Sequence, residues 1–199
     1  MKTENNITLK YYNDNADSLS ERYDAVDFNK IQKSISTYFI GAKKVIEIGF
    51  GSGRDANYLI NNGFDVIGID GSKEMLKKAQ QNYPLLNGRL IQAVLPDEFP
   101  YFETRFDAAY SIATLMHFDE EGIVEILKKI RNVLKPNSPV YISVSSKRSS
   151  NDERFFIEYS KNDWISIFEG NGFIINEIIE TKYATNREIM WYSFYLNMV

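Results

Sequence analysis

The sequence predicts a doubly wound α/β domain: a seven-stranded, mostly parallel sheet with helices on both faces and an antiparallel hairpin at its C-terminal edge. Three observations carry this. Strand-length apolar runs alternate with amphipathic helical ones from about residue 44 onward, glycines crowd the first strand-to-helix junction, and the last two strand-like runs have no helix between them. Alternation of this kind gives a parallel sheet covered on both sides, whereas two strands joined by a short loop pair antiparallel.

Taken in order, a polar segment to about Ile40 carries Phe28, Ile31, Ile35 and Phe39 at helical spacing and reads as an N-terminal helical cover over residues 1–40. Residues 41–199 read as the α/β core of the same single domain. Lys44 to Ile48 is a strand-length apolar run that ends at glycines, and a helix follows from Arg54 to Asn62, with Gly63 placed as its C-terminal cap. Phe64 to Ile69 is a second strand, and Ser72 to Gln81 a helix that turns Met75, Leu76 and Ala79 inward. Leu90 to Val94 and Phe106 to Ile112 are the third and fourth strands. Glu120 to Leu134 has apolar residues at i, i+3, i+4 and i+7 (Ile123, Ile126, Leu127, Ile130, Val133, Leu134), and Pro136 stops it. Val140 to Val144 is the fifth strand. Ser160 and Asp163 resemble a capping box for a helix through Trp164, Ile165 and Phe168 that ends at Gly170 or Gly172. Phe173 to Ile179 and Ile189 to Met198 complete the sheet.

Composition removes several chemistries. The 199 residues include no cysteine and one histidine, His117, which excludes disulfides, thiolate nucleophiles, zinc fingers and multi-imidazole metal sites. The net charge of −4 counts against a nucleic-acid partner, because phosphate binding wants a basic face. Neither a signal-type apolar segment nor a membrane-length run is present, so a cytoplasmic protein is expected.

The chemistry concentrates in Glu47-Ile48-Gly49-Phe50-Gly51-Ser52-Gly53-Arg54-Asp55, at the place where open α/β sheets bind ligands. Glycines there permit a tight turn and close approach of a ligand to main-chain N–H groups. The dinucleotide fingerprint G-x-G-x-x-G fails at its third glycine, which is Arg54 here, and glycine falls at Gly53 instead. The phosphate loop fails for want of Gly-Lys-Ser/Thr, and the hydrolase elbow fails because Phe50 stands where glycine is required.

The pattern E-x-G-x-G-x-G resembles motif I of the class I S-adenosylmethionine-dependent methyltransferases, a Rossmann-like fold. The likeness extends over nearly the whole chain from about Tyr11. In Ile69-Asp70-Gly71-Ser72, Asp70 stands where that family holds both ribose hydroxyls of its cofactor, and Met75 where it covers the adenine. Arg105 to Ser111 looks like its fourth strand and Leu134-Lys135-Pro136 like the turn before its fifth. Gly51 to Asp55 is similar to small free-standing bacterial members, including the tellurite-resistance type. The resemblance implies S-adenosyl-L-methionine as cofactor, S-adenosyl-L-homocysteine as product, and a cofactor site of Glu47, Gly49, Gly51, Gly53, Asp55, Asp70, Gly71, Ser72, Met75, Ala93, Val94 and Ser111. A lysine-free glycine loop beside the acidic Glu47 suits a cationic, phosphate-free cofactor, and Asp70 can accept two bonds from a cis-diol. Asp55 reads equally as a first-turn acid favoured by the helix dipole and as a cofactor contact. The family's acid after the third strand is replaced by Ala93-Val94, so Asp97 or a backbone carbonyl is expected to read the adenine. The paired glycines after Pro136 are Asn137 and Ser138.

Transfer of a methyl group from a sulfonium is a displacement that needs alignment above all, and a base only where the acceptor is protonated. His117, just after the fourth strand, is the candidate base, with a structural histidine as the alternative. Tyr11, Tyr12, Tyr23, Phe155, Phe156 and Trp191 could wall an acceptor pocket or simply pack. Arg22 or Arg187 could pair with a carboxylate, and Ser145 to Asn151, with Lys147 and Arg148, reads as a polar loop over the site. The expected acceptor is a small molecule. An NAD(P)-binding oxidoreductase is one competing reading, disfavoured by Arg54 and by the closing hairpin; a methyltransferase-fold protein that acts on a macromolecule or lacks catalysis is the other.

Overall fold

Seven strands form one sheet: β1 (Lys44–Ile48), β2 (Asp65–Asp70), β3 (Leu90–Gln92), β4 (Ala108–Ile112), β5 (Pro139–Ser145), β6 (Phe173–Lys182) and β7 (Met190–Met198), in the order β3-β2-β1-β4-β5-β7-β6. This computed structural model describes residues 2–147, 153–182 and 189–199, with side chains from Ile7 onward. β1 to β5 run parallel, and β7 pairs antiparallel with both β5 and β6. The predicted hairpin is therefore present, with its second strand inserted inside the sheet. The side chains explain the choice. Phe194, Tyr195 and Leu196 of β7 are buried, whereas β6 is largely exposed and carries Glu177, Glu180 and Lys182, which suit an edge.

The helices are α1 (Lys2–Asp14), α2 (Ala16–Asp24), α3 (Asn29–Tyr38), α4 (Arg54–Asn61), α5 (Lys73–Asn82), α6 (Glu120–Val133) and α7 (Lys161–Gly170). Both faces of the sheet are covered. α6 and α7 bury Ile123, Ile126, Leu127, Ile130, Trp164 and Phe168 against Ile46, Ile48 and Ile142. On the other face α3, α4 and α5 bring Ile35, Phe39, Ala56, Leu59 and Ala79 against Val45, Tyr110 and Tyr141. Burial on both sides is why β1 and β4 read as continuous apolar runs. α1 and α2 sit beyond this layer, against Met75 of α5.

Local signals act as the sequence indicates. Ser72 caps α5 by accepting from Met75 N, and Ser160 and Asp163 form the capping box of α7. Gly63, at φ 90°, follows α4, and its N–H donates to the Ile60 carbonyl. The N-terminal segment is three helices, broken after Asp14 and Asp24. Two expectations need correction. The fourth strand starts at Ala108, with Phe106 only bridging to Leu134. The third strand ends at Gln92: Ala93 N–H makes the last bond to β2, to the Asp70 carbonyl at 2.9 Å, and Val94 N–H already turns to Glu98. Asn137 takes up φ 60° in the turn before β5, the left-handed conformation that asparagine tolerates. Among the described residues, no helix is long and apolar enough to cross a membrane.

Candidate cofactor and acceptor site

The strand order reverses between β1 and β4, and the carboxyl ends of the strands at such a reversal are where open α/β sheets bind ligands. The glycine loop after β1 lies at this point. Gly49, Gly51 and Gly53 have φ of 79°, 53° and 81°, a region closed to most side chains, so the alternation of glycines is a backbone requirement. Each glycine also answers a different neighbour. A Cβ on Gly49 would lie 2.1 Å from Thr114 Oγ1, and one on Gly53 would lie 2.4 Å from Leu86 Cδ1 and 2.9 Å from Ala79 Cβ. Gly53 thus lets α4 close onto α5. A Cβ on Gly51 would meet only Met75 and the Tyr23 ring, at 4.0 Å.

Asp70, at the end of β2, organises the loop. Its Oδ2 accepts from Gly51 N–H at 2.9 Å and its Oδ1 from Ser72 N–H at 2.8 Å. Burial pushes this carboxyl up from its ordinary value, against the pull of those N–H groups. A carboxylate has about four lone-pair directions, so two bonds to backbone leave room for a cis-diol. Ser72 also donates to Asn13 Oδ1 at 2.8 Å, and Leu9 fills the space a Cβ on Gly71 would need, which ties α1 to the site. Met75 is fully buried beneath Tyr11, Tyr12 and Tyr23.

Glu47, 1% exposed, lies below the loop. It is in register with Tyr110 of β4, and Glu47 Oε2 and the Tyr110 hydroxyl are both buried outside hydrogen-bonding geometry. Burial first, then the charge of Asp55, pushes the Glu47 carboxyl well above the usual range. Asp55 does not cap α4, since Gly53 holds that position. Its carboxylate accepts from Arg54 Nη2 at 2.9 Å, Arg54 Nε at 3.1 Å and Gln32 Nε2 at 2.7 Å. Arg54 in turn lies 4.3 Å over the Phe28 ring and donates to the Tyr23 carbonyl, so this acid ties the motif to the N-terminal helices.

After β3, Ala93 is buried, and Val94 N–H donates to Glu98 Oε2 at 2.8 Å. Asp97 is exposed, so the carboxylate returning to this loop is that of Glu98, which no spacing rule singles out. Ser111 is buried and donates to the Ile48 carbonyl at 3.0 Å, holding β4 to the end of β1. Just beyond, Ala113 has φ 56° and sets Thr114 across Gly49. Neither residue type announces that strained turn.

His117 is buried in a 3₁₀ turn, Leu115–His117. Its Nδ1 lies 2.7 Å from the Phe155 carbonyl. A carbonyl only accepts, so Nδ1 carries the proton, and Nε2 is the basic nitrogen of the neutral ring. Tyr12 and Phe156 pack edge-on to the imidazole, with centroids 6.2 Å and 5.9 Å away. The Tyr12 hydroxyl accepts from Arg154 Nη1 at 2.6 Å, and burial and then Tyr23 push that phenol up. Tyr11, Tyr12 and Tyr23 therefore pack together on Met75, Phe156 stands edge-on to His117, and Phe155 meets that histidine through its backbone carbonyl, whereas Trp191 packs against the core from β7. Arg22 is exposed beside the Tyr23 ring. Arg187 and the loop part with Arg148 lie outside the described residues. Thr8, Gln32, Glu98, Thr114 and Arg154 join the site without a motif to mark them.

The family model for a methyltransferase domain matches residues 45–137. A glycine/sarcosine N-methyltransferase from Aphanothece halophytica is 31% identical over 137 residues, covering 63% of this chain and 51% of that protein. The chain spans about half the length of the first curated relatives it matches. Among solved structures, Burkholderia thailandensis 1,6-didemethyltoxoflavin-N1-methyltransferase with S-adenosylhomocysteine superimposes at TM-score 0.76 and 16% identity, over 97% of this chain and 88% of that one. Magnesium protoporphyrin IX methyltransferase from Synechocystis PCC 6803 with bound S-adenosylmethionine gives 0.73 and 17%, over 98% and 97%. Residues 45–137 thus match a methyltransferase domain, and over nearly its whole length the chain has the fold of these solved S-adenosylmethionine-dependent methyltransferases.

Proposed function

We propose that this chain transfers a methyl group from S-adenosylmethionine to a small-molecule acceptor. The observation that carries the reading is Asp70, whose carboxylate is anchored by Gly51 and Ser72 at the reversal of strand order, with capacity left for a ribose diol. Asp70 ties the turn after β1, with Gly49 and Gly51, to the turn after β2, with Gly71 and Ser72, and Met75 follows in α5. The segment 1–40 acts as the cover of residues 41–199 in this reading. When bound, the cofactor supplies a methyl group on a sulfonium leaving group. The residues of the chain orient the acceptor, exclude water and, for a protonated nucleophile, take its proton at His117 Nε2. Held by Asp70 and the glycine turn, the cofactor would supply an electrophilic methyl carbon whose bonding pair to sulfur would leave with the sulfur. Alignment of the three atoms supplies most of the acceleration, which makes the closed aromatic surround functional. The small-molecule class is supported by the acceptors that the relatives' names state, glycine, sarcosine and 1,6-didemethyltoxoflavin.

The test is thermal unfolding with S-adenosylmethionine, S-adenosylhomocysteine, NAD and NADP in parallel. A ligand at 100 times its dissociation constant stabilises the fold by roughly 2.7 kcal/mol. The adenosyl compounds are expected to shift the transition and the nicotinamides are not; a shift by a nicotinamide alone overturns the reading.

A further inference from the structure

Ser52 and Arg54, which alternate with the glycines of the turn after β1, hold the end of α2. Ser52 Oγ donates to Asp24 Oδ1 at 2.8 Å, and Arg54 Nη1 donates to the Tyr23 carbonyl at 2.6 Å. The rest of the guanidinium is committed as well. Its Nε and Nη2 go to Asp55, which also accepts from Gln32 Nε2, and its carbon lies 4.3 Å from the Phe28 ring centroid. α2 ends at Asp24 and α3 begins at Asn29. One arginine therefore spans the joint between these helices: it holds a carbonyl before the joint, a ring after it and, through Asp55, the first turn of α3.

The two sides of that joint are anchored differently. α3 is fixed in the main body, with Ile35 and Phe39 buried in the layer over the sheet and the Tyr38 hydroxyl donating to the Leu196 carbonyl at 2.9 Å. α1 and α2 rest on a small separate cluster, Ala16, Leu19 and Met75, ringed by Tyr11, Tyr12 and Tyr23. Their further contacts to α5 are polar, such as Asn82 to Ser20 and Lys78 to Asp17, and polar contacts are exchanged for water at little net cost. Elements with few buried apolar contacts are the ones that open locally. These are also the helices that cover the proposed cofactor turns. Leu9 fills the space beside Gly71, Asn13 accepts from Ser72, and the Tyr23 ring lies 4.0 Å from where a Cβ on Gly51 would stand.

Resting on the methyltransferase reading, we propose that Arg54 is a positioning residue that gates cofactor exchange. Its clamp on Tyr23 and Phe28 keeps α1 and α2 shut over the turns after β1 and β2. Its release lets the two helices swing away from the fixed α3, with residues 25–28 as the hinge, so that cofactor enters and product leaves. A clamp of this kind has a kinetic signature. A group that touches a ligand changes mainly the dissociation rate, whereas a group that holds a gate shut slows entry and exit alike. Loosening Arg54 therefore quickens both.

The test measures the association and dissociation rates of S-adenosylhomocysteine by stopped flow, and hydrogen exchange of the α2 and α3 amides with and without that ligand. Arg54→Lys keeps the charge but cannot serve Tyr23, Phe28 and Asp55 together. In this variant both rates are expected to rise by roughly tenfold, the low end of what loss of one charge-assisted bond implies, while the affinity changes less than either rate. Phe28→Leu leaves the glycine turn itself intact and should act in the same direction. In the wild type the α2 amides should exchange faster than those of α3, and the ligand should protect α2 and leave α3 unchanged. Arg54→Lys should speed α2 exchange in the unliganded protein. If that variant does not fold, Phe28→Leu and the wild-type exchange pattern decide. Faster dissociation with unchanged association makes Arg54 a support of the turn alone and overturns the proposal. So do unchanged rates, or α2 and α3 amides that exchange alike. Failure of S-adenosylhomocysteine to bind the wild type strikes the methyltransferase reading instead, and exchange in the unliganded proteins still reports whether Arg54 holds α2.

Discussion

Replacing Asp70 by alanine separates the cofactor reading from a purely structural one. Two bonds on the carboxylate are internal, to Gly51 N–H at 2.9 Å and Ser72 N–H at 2.8 Å. The remaining lone pairs are those that would receive the ribose diol. A hydrogen bond to a charged group contributes about 1.5–3 kcal/mol net, because the diol surrenders bonds to water on binding. Losing that acceptor should weaken S-adenosylhomocysteine by roughly 10- to 150-fold, at 1.4 kcal/mol per tenfold. Asp70→Asn keeps one acceptor oxygen without the charge and should fall between wild type and alanine. The internal bonds complicate the experiment, since their loss loosens the glycine loop and removes a buried carboxylate at the same time. Titration calorimetry below the unfolding transition, with the unfolding curve of each variant recorded beside it, keeps the two effects apart. A folded Asp70→Ala protein that binds S-adenosylhomocysteine within about threefold of wild type, well under one such bond, would refute the assignment.

Glu47→Gln tests the buried acid below the loop. Its folded pKa lies above the unfolded value near 4.5, so its favourable contribution is complete below that value and is lost as pH rises through the folded one. Relative to Glu47→Gln, the wild-type melting temperature should therefore fall as pH rises above the ordinary carboxylate value near 4.5, and parallel profiles would count against a desolvated carboxyl at this position. Gly53→Ala meets Leu86 and Ala79 at φ 81°; a left-handed alanine costs about 1–2 kcal/mol and overpacking about 1–3 kcal/mol more. Urea unfolding should show the combined loss, and a loss under about 1 kcal/mol would mean that α4 and α5 separate easily. His117→Ala should lower kcat by about 10²–10⁴ for an acceptor that must lose a proton, with S-adenosylhomocysteine affinity unchanged. Unchanged turnover would leave His117 as the anchor of residue 155 alone.

Legibility of the fold followed the range of the forces involved. Apolar periodicity, caps and glycines are local, so β1, β2, α4, α5, α6 and the capping box of α7 could be read within a residue or two. The hairpin was legible as a pair, and the greater apolar content of β7 accounts for its place inside β6. The ends of β3 and β4 were not, because they are set by bonds to other strands: Ala93 to Asp70, and Phe106 to Leu134. The helical character of the N-terminal segment was legible, but its division into three helices and their docking on Met75, Gly71 and Asp55 were not.

The site divided along the same line. By itself the sequence determined which residues could form a cofactor turn: three glycines at alternate positions, an acid at the end of the second strand, and a serine cap after it. Those features are contiguous, and their chemistry depends on backbone conformation that residue type dictates. Only the tertiary structure decided what each one touches. It put Gly53 against Leu86, closed Asp55 with Arg54 and Gln32, sank Glu47 beside Tyr110, and drew Arg154, Tyr12 and His117 together from three distant segments. Such contacts join residues far apart in the chain, and their partners are selected by how the helices and loops pack over one sheet edge, which no local pattern encodes.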